Sequence, residues 1–426
     1  MKFTSTSRAP LALALSIGVC LALTACSSGD GSAGAGAESA GSTSEAAAFY
    51  RDFTGAGEGK AQGEPITVGW VNLEGGDVSF PEVTESAEAA VALVNEELGG
   101  VGGRPIELRK CTIVTSEEQG QACAQEMLND DEIDLVIEGV APIGTGAFHQ
   151  TMAGRKPVIV TNPTTVADTV AANSYGISAG AFTSETYSSY VTETVRAKTV
   201  GLLNRNDDPA AVAQGKRIRG LLETAGVKVN QSTYSGTTSD FTAPLTATGG
   251  NSNDALIVVA VSPPACIGVA KAVKQMAISK PVIGGFTCVS EAVRDGLGDF
   301  APWTYIYTYE NTALPEASPA VSAYRTTMEK HDKEQLGGLA PAGFAGVMTA
   351  VRTLVEAGSD RTPEKLSELL TATKSGAPMF SPVLAFGAFP EEGALGTKSA
   401  RAYTYEGNGT WEDATDGKWI NEVKSS

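Results

Sequence analysis

The sequence predicts an α/β fold of two lobes, each built on a parallel sheet with helices on both faces. Short apolar runs alternate with amphipathic stretches of helical length, which is typical of strand–helix–strand units. This alternation occurs twice in series, starting near Pro65 and again near Thr199. About 360 residues follow a polar N-terminal region, and that length suits two domains of ordinary size.

The first series begins with the apolar run ITVGWV, which predicts a buried strand. The stretch PEVTESAEAAVALVNEELGG that follows has apolar residues at helical spacing and ends at two glycines. Next come a strand, IELRKC, and a helix that opens with Ser116 and Gln119 in a capping box. The run IDLVIEG, a helix in TGAFHQTMAG and the strand KPVIVT complete the series.

The second series has the strands TVGLLN, VKVNQSTY, DALIVVAV and KPVIGGF, with helices in AAVAQGKRIRGLLETAG and PACIGVAKAVKQMA. The C-terminal third contains helices and short strands such as ARAYTYE but lacks its own strand–helix alternation, so no third domain is expected. Ligands of open parallel sheets bind outside the carboxyl ends of the strands. Residues that follow each strand are therefore the candidate ligand contacts.

The N-terminal region predicts export. Residues 1–25 combine Lys2 and Arg8, an apolar core too short to span a membrane, and small residues before Cys26. Leu23-Thr24-Ala25-Cys26 resembles the lipobox of bacterial lipoproteins, in which the cysteine carries a diacylglycerol; an ordinary secretory signal is the alternative. Residues 26–63 are rich in Gly, Ala and Ser and predict a flexible tether, with AAAFYRDF as its one candidate helix.

Charge and cysteine content narrow the function classes. The chain has 31 basic and 49 acidic residues and a net charge of −18, which disfavours binding to nucleic acid or to anionic lipid surfaces. An anionic ligand would therefore need local donors. Cys111, Cys123, Cys266 and Cys288 predict two disulfides in an exported chain, with three pairings open. No C-x-x-C occurs and the two histidines are not spaced as ligands, so no metal is expected.

The order of ITVGWVNLEGG, GGVGGRPIELRKC, IDLVIEGVAPIGTGAF and KPVIVTNPTT resembles the branched-chain amino-acid and amide group of substrate-binding proteins for ABC importers. The resemblance runs from about Pro65 to Trp419 and is clearest in the first lobe and at 255–289. It implies a type I periplasmic-binding-protein fold with two Rossmann-like lobes joined by a hinge. Lobe 1 would comprise 64–181 plus about 308–380, and lobe 2 would comprise 182–307 plus about 381–426.

The resemblance also implies a function. The protein would be a monomeric receptor, without a cofactor or enzymatic activity, that closes on a small molecule and presents it to an ABC importer permease. Cys26 would hold it on the outer face of the cytoplasmic membrane through its diacylglycerol. The disulfides would be Cys111–Cys123 and Cys266–Cys288.

The resemblance places ligand contacts in the loops that follow the strands, where backbone N–H groups at helix starts and hydroxyls hold a carboxylate. Thr165 falls at the family's carboxylate-binding threonine, whereas Pro142 replaces a frequent serine and removes a donor. Thr145 and Thr165 are equally interpretable as helix caps. The full set of expected contacts is Trp70, Ser79, Phe80, Ala141, Pro142, Ile143, Thr145, Asn162, Thr164, Thr165, Asn206, Asp207, Ser262, Phe286 and Thr287.

Phe286 stands where amino-acid binders have the glutamate that pairs with the ligand ammonium group. Because an unpaired buried ammonium is very costly, an amino-acid ligand would need another acid, and Asp207 is the nearest candidate. Trp70, Phe80 and Phe286 favour an aromatic or short aliphatic carboxylate as the rival ligand, although Trp70 also suits ordinary core packing.

The sequence leaves two alternatives to an importer receptor. A ligand-sensing receptor of the same fold has the same sequence features. A secreted hydrolase has less support, because the chain lacks G-x-S-x-G and H-E-x-x-H. The run Gly144-Thr145-Gly146 lacks the third glycine of a dinucleotide-binding loop.

Overall fold

The structure is a computed structural model that describes residues 43–76, 78–260, 262–314 and 317–422. The expected export signal in 1–25, the lipidation of Cys26 and the tether up to residue 42 lie outside the described residues. In the described part, no helix is both long and apolar enough to cross a membrane.

Lobe 1 is built on a sheet of five parallel strands in the order β2-β1-β3-β4-β5. All eight residues of β1 are buried, as expected for a parallel sheet that is covered on both faces. The strands are β1 (Ile66–Leu73), β2 (Ile106–Ile113), β3 (Ile133–Glu138), β4 (Val158–Val160) and β5 (Ser174–Gly176).

Lobe 2 is built on a sheet of seven strands in the order β12-β11-β10-β9-β8-β6-β7. The five strands of this sheet that come first in the chain are parallel. The last two strands are antiparallel and form one edge of the sheet. The strands are β6 (Thr199–Arg205), β7 (Lys228–Tyr234), β8 (Ala255–Val259), β9 (Val282–Gly285), β10 (Thr304–Tyr307), β11 (Arg401–Gly407) and β12 (Thr410–Asp413). The two sheets confirm the predicted two-lobed α/β architecture.

The part of the chain that the structure describes contains thirteen α-helices. They are α1 (Thr43–Thr54), α2 (Pro81–Glu96), α3 (Glu117–Asn129), α4 (Thr145–Met152), α5 (Val166–Val170), α6 (Ser184–Ser189), α7 (Pro209–Thr224), α8 (Thr242–Ala247), α9 (Pro263–Gln275), α10 (Glu291–Leu297), α11 (Pro319–Lys330), α12 (Ala340–Ala357) and α13 (Pro363–Ala372). The predicted capping box at Ser116 is present at the start of α3.

Two boundaries differ from the expected ones. Helix α1 packs on α11 and α12 with Tyr50 fully buried, so the expected tether of 26–63 does not extend over 43–54, which belongs to the folded body. Leu395 forms a parallel bridge with Gly176 at the edge of the lobe 1 sheet. The final crossing into lobe 2 therefore lies later in the chain than residue 381.

The disulfides have the pairing that the resemblance implied. Cys111–Cys123 ties β2 to α3, and Cys266–Cys288 ties α9 to the short turn after β9; their Cα–Cα distances are 5.5 and 5.4 Å. Each bridge joins a strand region to its neighbouring helix, and both ends of each bridge lie in one lobe.

Helices α3 and α4 approach each other closely at Gly120. A Cβ atom at this position would lie 1.9 Å from the carbonyl oxygen of Gly144, which is a backbone atom. Only glycine permits this approach. The contact fixes the loop that leads into α4.

Candidate functional site

The loops that follow β3 and β4 come together at two threonine hydroxyls. Thr145 is the first residue of α4 and Thr165 precedes α5, and their Oγ1 atoms lie 3.0 Å apart. Thr145 is fully buried, whereas Thr165 is half-buried. Because β3 and β4 are neighbours in the sheet, their carboxyl ends bring these two predicted residues together.

Thr165 is a helix cap with an acidic partner. Its hydroxyl donates to Asp168 Oδ1 at 2.8 Å, and the backbone N–H groups of Thr164 and Thr165 donate to Asp168 Oδ2 at 2.7 and 2.8 Å. The T-x-x-D spacing forms a capping box. These two N–H groups are therefore bonded to a carboxylate of the protein. This differs from the expectation that the N–H groups of the loop are free for a ligand.

The start of α4 is arranged in a similar way. Gly144 is the N-cap residue, with a left-handed φ of 90°, so Thr145 is not the cap. Glu117 of α3 accepts hydrogen bonds from the N–H groups of Gly144 and Ala147 at 2.9 and 2.8 Å. Two of the expected donors at this helix start are therefore taken by an internal carboxylate.

Behind the two threonines lies a buried imidazole between two carboxylates. His149 Nε2 lies 2.9 Å from Glu138 Oε2 and 3.6 Å from Asp168 Oδ1, and the three side chains are 4%, 1% and 0% exposed. The His149–Glu138 contact is an ion pair, and neither Glu138 Oε2 nor His149 Nε2 has a hydrogen bond of aligned geometry in the described residues. We call these residues the histidine cluster.

Electrostatics set the ionisation of the histidine cluster. Burial, reinforced by the charge of Asp168, raises the pKa of Glu138 to about 7 against the opposing effect of His149. Burial alone would lower the pKa of His149, but the nearby carboxylates, Glu138 first and then Asp168, outweigh it and raise this pKa to about 10. At neutral pH the cluster thus contains an imidazolium.

The histidine cluster is the one group in the described residues that brings three potential metal-ligating atoms within 4.8 Å of one another. Asp168 is already saturated by its capping hydrogen bonds, and the short His149–Glu138 contact is that of an ion pair. We therefore describe it as an ion-paired cluster and not as a metal site.

Trp70 is a core residue and not a wall of the site. It is 1% exposed, and its indole N–H donates to Thr84 Oγ1 at 2.8 Å. Of the two expected sequence interpretations of Trp70, core packing is the one that the structure shows. Ser79 and Phe80 are half-buried in the loop before α2, where Ser79 Oγ accepts from the N–H of Gly75 at 3.0 Å.

The remaining lobe 1 candidates differ in accessibility. Ala141 is fully buried in the core, Ile143 is half-buried and Pro142 is exposed. Asn162 is buried, and its side-chain oxygen has no hydrogen-bond partner among the described residues. Ala141 is therefore remote from solvent.

In lobe 2, Phe286 begins the turn after β9, and its ring meets Tyr309 edge-on at 6.0 Å between centroids. Thr287 follows it and is half-buried, and Ser262 is the N-cap residue of α9 without a side-chain capping bond. The position expected to carry an acid in amino-acid binders is thus part of an aromatic contact.

Asp207 is not an unpaired acid. Its carboxylate lies 2.5 Å from Arg205 Nε and also accepts from the N–H of Gly236 at 2.9 Å, and these bonds lower its pKa. Its neighbour Asn206 is exposed and donates to Thr233 Oγ1 at 3.3 Å. Asp207 is therefore already neutralised by Arg205.

An acidic group of lobe 1, Glu82, is absent from the contacts expected from the sequence. Glu82, at the start of α2, is half-buried, and burial, together with Glu85 and Glu74, raises its pKa to about 7 against the N–H groups that it faces. No Lys or Arg of the described residues lies within ion-pair distance of it. An acid in the first turn after a strand–loop is the signal that could have identified it.

The fold and these loops define a class of protein: a two-lobed binding protein with candidate contacts at the carboxyl ends of parallel strands in both lobes. The model of the family described as periplasmic binding protein matches residues 65–405. The chain belongs to this family. A search of curated proteins found no match.

Solved structures agree in fold. A leucine-binding protein from Thermotoga maritima superposes with a TM-score of 0.68 at 16% identity, covering 84% of this chain and 99% of that one. The branched-chain amino-acid transporter substrate-binding protein of Streptococcus pneumoniae, in complex with isoleucine, gives 0.66 at 20% identity, with coverages of 82% and 98%. A Rhodopseudomonas palustris solute-binding protein in complex with 4-hydroxybenzoate gives 0.66 at 18% identity, with coverages of 85% and 96%.

Proposed function

We propose that this protein is a lipid-anchored extracytoplasmic receptor that captures a small organic solute between its lobes and delivers it to an ABC importer permease. Membership of the periplasmic binding protein family over residues 65–405 supports the receptor role. The lipobox-like run ending at Cys26 supports the anchor, and the importers named for the similar structures support the permease. Closure would follow from ligand binding that favours the closed state of the hinge.

The observation that carries the ligand class is the adjacency of the Thr145 and Thr165 hydroxyls at the carboxyl ends of β3 and β4. Hydroxyls beside helix starts suit the carboxylate of an organic acid. On lobe 2 we propose Phe286, whose ring lies against Tyr309, as the apolar contact for the rest of the ligand, opposite the two threonines.

An aromatic or short aliphatic acid fits this chemistry at least as well as leucine. Phe286 offers no charge to an ammonium group, and Asp207 is occupied by Arg205. The charge of Glu82 acts on Tyr309, and Glu82 has no ion pair with a Lys or Arg in the described residues, so it is where an amino-acid ligand would find compensation. The similar structures include complexes with both isoleucine and 4-hydroxybenzoate.

A thermal-shift screen of the purified protein tests this proposal. Benzoate, 4-hydroxybenzoate, short aliphatic acids, amides and the free amino acids are compared at equal concentration. A ligand present at about 100 times its Kd stabilises the folded state by about 2.7 kcal/mol. We expect an aromatic or aliphatic acid to raise Tm at least as much as leucine does, and Thr165→Val to reduce this rise.

The control variant is Thr246→Val, which removes an exposed hydroxyl on α8 that bonds to its own helix. It should respond to ligand like the parent protein. Stabilisation by free amino acids alone would contradict the acid preference. The absence of any stabilising small molecule would contradict the receptor function.

A further inference from the structure

The histidine cluster joins three elements of lobe 1 directly beneath the proposed anion site. Glu138 ends β3, His149 lies one helical turn after Thr145 on α4, and Asp168 lies in the first turn of α5. In the described residues, the charged groups that act on this imidazole are the two carboxylates of the cluster, and Glu117 of α3 faces the backbone at the start of the same helix. No Lys or Arg in the described part of the chain shifts the pKa of this imidazole.

A directed chain of hydrogen bonds runs from Asp168 to the threonine pair. Thr165 donates its single hydroxyl hydrogen to Asp168 Oδ1 at 2.8 Å. Thr145 must therefore be the donor in the 3.0 Å contact between the two hydroxyls. The half-buried Thr165 hydroxyl is the one that a ligand could reach, yet its hydrogen is held by an internal carboxylate.

We infer that His149 is a positioning residue for anion binding: as an imidazolium it compensates Asp168, so that the Thr165 hydroxyl hydrogen can turn from Asp168 to the carboxylate of the ligand. This inference rests on the proposed function. No covalent bond changes; one hydroxyl rotates, and the Thr145 hydroxyl continues to donate to the Thr165 oxygen.

The remaining partners of Asp168 support this exchange. When the Thr165 hydroxyl leaves, Asp168 keeps the N–H groups of Thr164 and Thr165 at 2.7 and 2.8 Å and the imidazolium at 3.6 Å. Removing a hydrogen-bond donor from a buried carboxylate costs much free energy when no other donor or positive charge remains beside it. His149 thus lowers the cost of releasing the hydroxyl.

The charge of the histidine cluster gives the inference a pH signature. With both carboxylates ionised and His149 protonated, the cluster carries one net negative charge close to the bound anion. Protonation of Glu138, whose pKa burial raises to about 7, makes the cluster neutral. Affinity for an anion should therefore increase as the pH falls through about 7.

Two measurements on the whole protein test this. The first is NMR of the imidazole signals, which is tractable because the chain has two histidines and His331→Gln assigns the other one. We expect the His149 ring to remain protonated to about pH 8 or above, and Asp168→Asn to make it lose its proton at lower pH. A His149 ring that is neutral at pH 8 overturns the inference, whether or not a ligand is known.

The second is calorimetric titration with benzoate or leucine, whichever gives the larger shift in the screen. We expect affinity to increase about threefold or more from pH 8 to pH 6, and His149→Gln to lower it about tenfold or more. Glu138→Gln is nearly isosteric and therefore disturbs the fold less than His149→Gln. It should keep tight binding and abolish the pH dependence. His331→Gln is the matched control and should change neither.

The outcomes separate the two proposals. Carboxylate binding that is independent of pH between 6 and 8, or a Glu138→Gln variant that keeps the pH dependence, overturns the role of His149 alone. If neither benzoate nor any other carboxylate binds, the proposed ligand class fails together with the role of His149.

Discussion

Replacing Gly120 by alanine tests whether the loop before α4 is held in place by backbone contact. The added Cβ would lie 1.9 Å from the carbonyl oxygen of Gly144, whereas ordinary contacts begin near 3.4 Å. The helices must therefore separate by about 1.5 Å, and overpacking of this kind costs about 1–3 kcal/mol. Because the clash is with backbone and no side-chain rotation relieves it, we expect about 3 kcal/mol.

Thermal unfolding followed by circular dichroism measures this cost, with an expected fall in Tm of about 5 °C or more. Gly220→Ala is the matched control, because its Cβ meets nothing within 4 Å in α7; it should stabilise the protein by about 0.5–1 kcal/mol. Displacing Gly144 also moves Thr145 away from Thr165, so ligand affinity should fall. A Gly120→Ala variant that melts and binds like the parent would refute the reasoning.

Two further predictions concern Trp70 and pH. Trp70→Phe removes the hydrogen bond to Thr84 and should lower the free energy of unfolding in chemical denaturation by about 1–2 kcal/mol. Ligand affinity should stay within about twofold of the parent because Trp70 is a core residue. A large loss of affinity at unchanged stability would show instead that Trp70 contacts the ligand. In the folded state the pKa of Glu138 rises from 4.5 to about 7 and that of His149 from 6.5 to about 10. Both raised values mean that the folded state binds more protons than the unfolded state, so stability should fall as pH rises from about 5 through 7 and on to about 10, as measured by urea denaturation at each pH. Glu138→Gln should flatten the acidic part of this profile, and an unchanged profile would contradict the ionisation that we assign.

The parallel sheets were predictable because their strands are short apolar runs separated by strongly periodic helices. The run ITVGWV became a fully buried strand, and the capping box at Ser116 starts α3 as predicted. Helix α1 was less accessible to such reasoning. Its burial of Tyr50 depends on α11 and α12, which lie hundreds of residues away in the sequence, and a Gly- and Ser-rich context conceals that long-range packing.

For the site, adjacency of β3 and β4 could be predicted from parallel-strand topology, and with it the meeting of Thr145 and Thr165. Which donors remain free could not. Glu117 reaches the start of α4 from another helix, and the spacing of residues along the chain does not report such contacts. The T-x-x-D pattern at Thr165 predicts the capping role of Asp168. The position of Glu138 at the end of an apolar strand does not predict its ion pair with His149, which depends on how α4 packs against the sheet.

The two covalent cross-links have a consequence for movement. Cys111–Cys123 stiffens one half of the molecule and Cys266–Cys288 the other, and neither spans the gap between the halves. Disulfide formation therefore makes each lobe more rigid and imposes no covalent restraint on the angle between the lobes.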